Sequence, residues 1–139
     1  MRRSKGKSVA LLVDSSISTS LASILPQLRP LVEEIGQIKV AKIVLPQNQA
    51  LEYAEDISEE GFLPVIVYND LDIHFALEVM ELIYNEKLQA LALATENEKL
   101  LPLFIRAREL GKEIILLQAT GNVSRGLQNA ADLVLPVGD

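Results

Sequence analysis

Apolar positions along this chain come in two alternating patterns, short continuous runs and helical stripes. The run Ser8-Val9-Ala10-Leu11-Leu12-Val13-Asp14 sets five consecutive apolar residues between polar ends, which reads as a strand covered on both faces. Leu21, Ile24, Leu25, Leu28, Leu31, Val32 and Ile35 then fall three and four apart, one stripe of a helix. Pro26 and Pro30 interrupt that stripe and predict a short helical turn followed by a second helix entered near Pro26. Strands follow at Ile38 to Leu45, Leu63 to Tyr68, Leu88 to Ala94, Glu113 to Leu117 and Leu133 to Leu135. Between them the pattern predicts a helix capped by Asn48 and running to Gly61, with Leu51, Ala54 and Ile57 or Ser58 facing inward. Further helices are predicted over Ile73 to Tyr84, Glu98 to Leu110 and Val123 to Ala131.

Three of these helices stop at a glycine directly before a strand: Gly36, Gly61 and Gly111. Glycine adopts the left-handed conformation that closes a helix and returns the chain to the sheet. Repeated strand–helix units with such stops imply right-handed crossovers. The fold class is therefore α/β, a three-layer Rossmann-like sandwich with a mainly parallel central sheet of five to six strands. The helix Ile73 to Tyr84 is apolar on more than one side. Ala76, Leu77, Met80 and Ile83 are expected to face the sheet, leaving Phe75, Val79 and Leu82 as a second row available to a partner, such as a second copy in a homodimer.

With 139 residues the chain makes one domain, 8–139, preceded by a basic arm, 1–7. The formal charge is −6 although four cations, Arg2, Arg3, Lys5 and Lys7, crowd the first seven positions, so the folded body is more acidic still. Broad electrostatic attraction to nucleic acid is not expected of such a body. The absence of cysteine removes disulfides and thiolate metal sites, and the single histidine, His74, excludes a histidine cluster. No apolar run approaches the roughly 18–20 residues that cross a bilayer, and no signal-peptide pattern opens the chain. A cytoplasmic protein without membrane contact is the expectation.

In parallel α/β sheets, ligands bind where the carboxyl ends of the strands meet the loops. There the sequence delivers Asp14, Ser15 and Ser16 after the first strand, and Asn69, Asp70 and Asp72 after the third. The fourth adds Thr95, Glu96, Asn97, Glu98 and Lys99, and the fifth Thr120, Asn122 and Ser124. The loop Asp14-Ser15-Ser16-Ile17-Ser18 contains no glycine, which excludes the usual dinucleotide and phosphate loops. What converges is acidic oxygen, the donor type of Mg or Mn. Each residue also has a structural reading: Asp14, Asp72 and Asn97 as caps, Asp70 as a turn residue.

The chain resembles the NYN family of PIN-like nuclease domains. The segments that carry the resemblance are Ala10-Leu11-Leu12-Val13-Asp14, Asp70 through Glu81, Leu93-Ala94-Thr95 with Leu101-Pro102-Leu103, Leu110-Gly111-Lys112-Glu113, and Leu127 through Asp132. The resemblance implies a PIN-type fold and divalent-metal cleavage of RNA, with Asp14 at the family's first acidic position and Asp72 at its second. It also marks departures. Ile17 stands where the family has asparagine, and Asn97 and Lys99 stand at its later acidic pair. Exchanging a carboxylate for an ammonium ~5 Å from a divalent ion costs at most on the order of 10 kcal/mol at an effective dielectric of ~20. Two outcomes follow from these departures. The chain is a catalytically impaired module that binds RNA or protein, with the Mg or Mn site weakened or lost. The alternative is a metal-dependent ribonuclease in which Glu96 or Glu98 joins Asp14 and Asp72.

Overall fold

Strand β1 (Ser8–Asp14) is buried from Val9 onward and lies at the centre of the molecule. In this computed structural model, which describes residues 6–138, Val9, Leu11 and Val13 enter one core while Ala10 and Leu12 enter the other. Five apolar residues in a row are required because both faces of this strand are covered.

Around it run β2 (Gln37–Pro46), β3 (Leu63–Val67), β4 (Ala90–Ala94), β5 (Glu113–Gln118) and β6 (Leu133–Pro136). The six strands are parallel throughout, in the order β3-β2-β1-β4-β5-β6. Helices α1 (Leu21–Glu33), α2 (Gln47–Glu52) and α3 (Ala54–Glu59) serve the β1–β2–β3 half. Helices α4 (Leu71–Ile83), α5 (Leu101–Glu109) and α6 (Arg125–Ala130) serve the β4–β5–β6 half and pack into the opposite core. The direction of winding therefore reverses between β1 and β4, and the crevice of such a sheet opens at that reversal.

Several local expectations are corrected. Helix α1 is one continuous helix that contains both Pro26 and Pro30. Both prolines are exposed and stand one turn apart, so the carbonyls they leave unpaired are on the wet side, where water satisfies them. The next helix starts at Gln47 behind Pro46, not at Asn48, and breaks at Tyr53. Of its expected inward residues only Ile57 is buried; Leu51 is 73% exposed and Ala54 is exposed. Leu101 is helical (φ −50°, ψ −45°) despite preceding Pro102, because a single 3-10 turn over Glu98–Leu100 leads into α5 and puts the proline in the first turn.

Gly61 and Gly111 close their helices at φ 78° and 80°. Gly36 has no such backbone: a Cβ there would sit 2.5 Å from the Lys7 carbonyl and 2.9 Å from Val9 Cγ2. Its role is to let β1 and the entry to β2 come close. The basic arm lies outside the described residues except at its end, where Lys7 pairs with Glu113.

Helix α4 carries the largest correction. Phe75, Val79, Leu82 and Ile83 are buried against the sheet, so Phe75, Val79 and Leu82 are core and not an outer row. Ile73, Leu77, Met80 and Tyr84 are the exposed row, at 59, 56, 40 and 56%. The two rows are displaced by two residues, about 200° around the helix, so both satisfy the helical period. The aromatic ring of Phe75 buries the larger apolar surface and takes the inside.

Candidate functional site

Asp14 closes β1 at the reversal point and is only 1% exposed. Its Oδ1 accepts the Ser16 backbone N–H at 2.9 Å and the Ser16 hydroxyl at 2.6 Å. Its Oδ2 accepts the hydroxyl of Thr95, just beyond β4, at 2.9 Å. The Thr95 oxygen in turn accepts the Asn97 N–H at 3.1 Å, so a polarised chain runs from the loop after β4 into the carboxylate. Buried polar groups need hydrogen-bond partners, and both Asp14 oxygens have donors. Beside it, Ser15 Oγ is buried without a partner, alone in this respect among the described residues.

Glu96 looks elsewhere. Its Oε1 accepts both the N–H (3.2 Å) and the hydroxyl (2.6 Å) of Ser18, and its Oε2 accepts the Thr120 hydroxyl. Asn122 donates Nδ2–H to Ser18 Oγ at 2.9 Å, and its own N–H donates to Thr120 Oγ1 at 3.0 Å. This net ties the loops after β1, β4 and β5 into one surface. The sequence places Thr95, Glu96, Thr120 and Asn122 at the rim. Ser18 goes unassigned there, although the hydroxyl-rich stretch Ser15-Ser16-Ile17-Ser18-Thr19-Ser20 is the signal that would have found it.

Asp72, Asn97 and Lys99 are brought together on a third stretch of the rim. They line the end of a groove of about 390 Å³ between α4 and α5, whose remaining walls are Ile73, Ala76, Leu77, Met80, Leu100 and Leu103. Asp72 lies inside the first turn of α4, whose N-cap is Asp70 in the left-handed region (φ 52°). Asn97 does cap the turn leading into α5, its Oδ1 accepting the Lys99 N–H at 3.0 Å. Glu98 and Lys99 are exposed. Among the described residues, Lys99 has no carboxylate within ion-pair distance.

The match to the NYN domain family covers residues 4–137, essentially the whole chain. The chain belongs to the NYN family. This NYN chain is 30% identical over 141 residues to an uncharacterized protein of Methanocaldococcus jannaschii, an alignment covering 99% of the chain and 59% of that relative. The chain thus spans about 59% of the relative's length. A crystal structure of a protein of unknown function from Vibrio parahaemolyticus superposes with a TM-score of 0.81 at 14% identity, covering 100% of this chain and 98% of that one. That likeness establishes the fold.

NYN and other PIN-like nucleases generally work with a divalent ion. Such an ion needs several charged oxygens converging on one point. Among the described residues of this NYN domain, no three histidine, aspartate or glutamate side chains come together to hold one. Asp14 and Glu96 accept hydroxyl and amide hydrogen bonds from separate sets of partners, so the two carboxylates belong to different networks. The acidic side chains therefore stand apart from one another in this arrangement.

Proposed function

We propose that this NYN domain does not hydrolyse phosphodiesters and works as a binding and assembly module. The observation that carries the reading is the division of the acidic residues. Asp14 is bound to Ser16 and Thr95, Glu96 to Ser18 and Thr120, and Asp72 lies in a separate groove with Lys99. Hydrolysis by metal-activated water depends on carboxylates that converge on one point, and among the described residues no three acidic side chains do so. A protein surface is the favoured partner over RNA. The net charge of −6 opposes a phosphate chain, while α4 presents an unpartnered apolar row.

The test is direct. Single-stranded RNA incubated with the protein and either manganese or magnesium should stay intact, and millimolar concentrations of either ion should not raise the melting temperature. Cleavage that disappears in Asp14→Asn would overturn the reading.

A second reading is a metal-dependent ribonuclease using Asp14 and Asp72 with Glu96 or Glu98. Family membership and the position of Asp14 at the winding reversal favour it. With Glu96 as the third ligand, its bonds to Ser18 and Thr120 would have to rearrange, whereas Glu98 is exposed. Should RNA bind without being cut, the salt dependence of binding reports how many phosphates are engaged.

A further inference from the structure

The apolar row on α4 runs beside the groove that holds Asp72 and Lys99. Ile73, Leu77, Met80 and Tyr84 follow one another at spacings of four, three and four, a seam one helix lays against another. At 1.5 Å per residue this seam is about 16 Å long. Leu103 of α5, which is half-buried, continues it sideways. Four large apolar side chains, each at least 40% exposed, form one stripe along a single helix, unlike the scattered single residues of an ordinary surface.

The charges at the end of the groove identify the occupant. Asp72 and Lys99 line the same groove, carry opposite sign, and neither forms an ion pair or a side-chain hydrogen bond among the described residues. Glu78, by contrast, is already paired with Lys42 at 3.1 Å. A twofold axis makes residue i of one copy meet residue j of the other and the reverse. A surface carrying one free anion and one free cation beside an apolar seam is complementary to itself under that operation.

We propose that the α4 face is the interface of a homodimer, in which the Ile73/Leu77/Met80/Tyr84 seams of two copies cover each other and Asp72 of each pairs with Lys99 of its partner. Lys99, standing at an acidic position of the nuclease family, is then an interface cation. The inference deepens the assembly reading and rests on it. The two nonetheless fail separately: RNA cleavage by the wild type overturns the loss of hydrolysis and leaves the dimer standing, whereas a monomer overturns the dimer and leaves the inert rim standing.

The experiment is sedimentation velocity on the 139-residue chain, without metal or RNA, over micromolar to hundreds of micromolar concentrations. A concentration-dependent dimer is expected. Leu77→Asp should weaken association at least tenfold with an unchanged circular dichroism spectrum. Asp72→Lys and Lys99→Glu should each weaken it, and the double swap Asp72→Lys/Lys99→Glu should restore it. A wild type that stays monomeric across the range overturns the proposal, as does a dimer indifferent to Leu77→Asp. Association that the double swap fails to recover overturns the assigned pairing.

Discussion

The Thr95 hydroxyl donates to Asp14 Oδ2 at 2.9 Å across 81 residues of sequence, stitching the ends of β1 and β4 together at the point where the sheet reverses its winding. The bond supplies a buried carboxylate with a donor it cannot obtain from water. Removing one partner of such a pair leaves the other unsatisfied, at about 1–3 kcal/mol. Thr95→Val should therefore lower the unfolding free energy by about that amount, while Thr95→Ser should recover most of it. Urea denaturation followed by circular dichroism separates the two. Equal stability of Val and wild type would mean that Asp14 is satisfied some other way.

Glu96 gives a test that bears on both functional readings. Its carboxylate is held by Ser18 and Thr120. Thr120→Val combined with Ser18→Ala removes its hydroxyl donors and should speed hydrogen exchange of the Ser18 amide, because the Glu96 carboxylate that accepts it loses its anchors. If Glu96 is a metal ligand in waiting, the same double variant should gain manganese affinity, measurable by titration calorimetry. The assembly reading expects no gain.

On α4, neighbouring positions should respond oppositely. Phe75 is fully buried and Phe75→Ala should cost about 3–5 kcal/mol through lost transfer energy and a residual cavity. Leu77, more than half exposed, should tolerate Leu77→Ser within about 0.5 kcal/mol when unfolding is measured at concentrations too low for association. Comparable losses at both positions would contradict the orientation of the helix.

Gly36 and Gly121 form a matched pair of glycine tests. An added methyl at Gly36 meets the Lys7 carbonyl, which accepts the Gln37 N–H at 2.8 Å and cannot yield without disturbing that bond; Gly36→Ala should cost about 1–3 kcal/mol. Gly121 has no atom within 4 Å of its would-be Cβ and no positive φ. Gly121→Ala should be neutral or slightly stabilising, since it restricts the unfolded chain. Thermal melts of both variants decide the matter.

Asp132 separates two kinds of contact. One oxygen accepts the Ile114 backbone N–H at 2.8 Å and the other meets Arg108 Nε at 3.2 Å. The ion pair is partly exposed and worth at most about 1 kcal/mol, whereas the amide needs its acceptor. Arg108→Ala should be mild and Asp132→Ala about 1–3 kcal/mol worse than wild type, again by urea denaturation.

Periodicity and local chemistry were enough to specify the alternation of strands and helices, the burial of β1 on both faces, the left-handed stops at Gly61 and Gly111, and Asp14 as the residue at the rim. Those features depend on side chains within a few positions of one another. Tertiary structure decided the rest. Two apolar rows on α4 obey the same period, and only packing against β1, β2 and α5 selects Phe75 over Leu77. Gly36 and Gly61 look alike as helix stops, but the approach of Lys7 and Val9 gives Gly36 a different reason to be glycine. Asp14 and Glu96 read as two members of one acidic cluster, yet hydroxyls brought from distant loops divide them between separate networks. Sequence spacing fixes how side chains are arranged on an element; which face is buried, and which donors meet a carboxylate, depends on the free energy of bringing distant elements together.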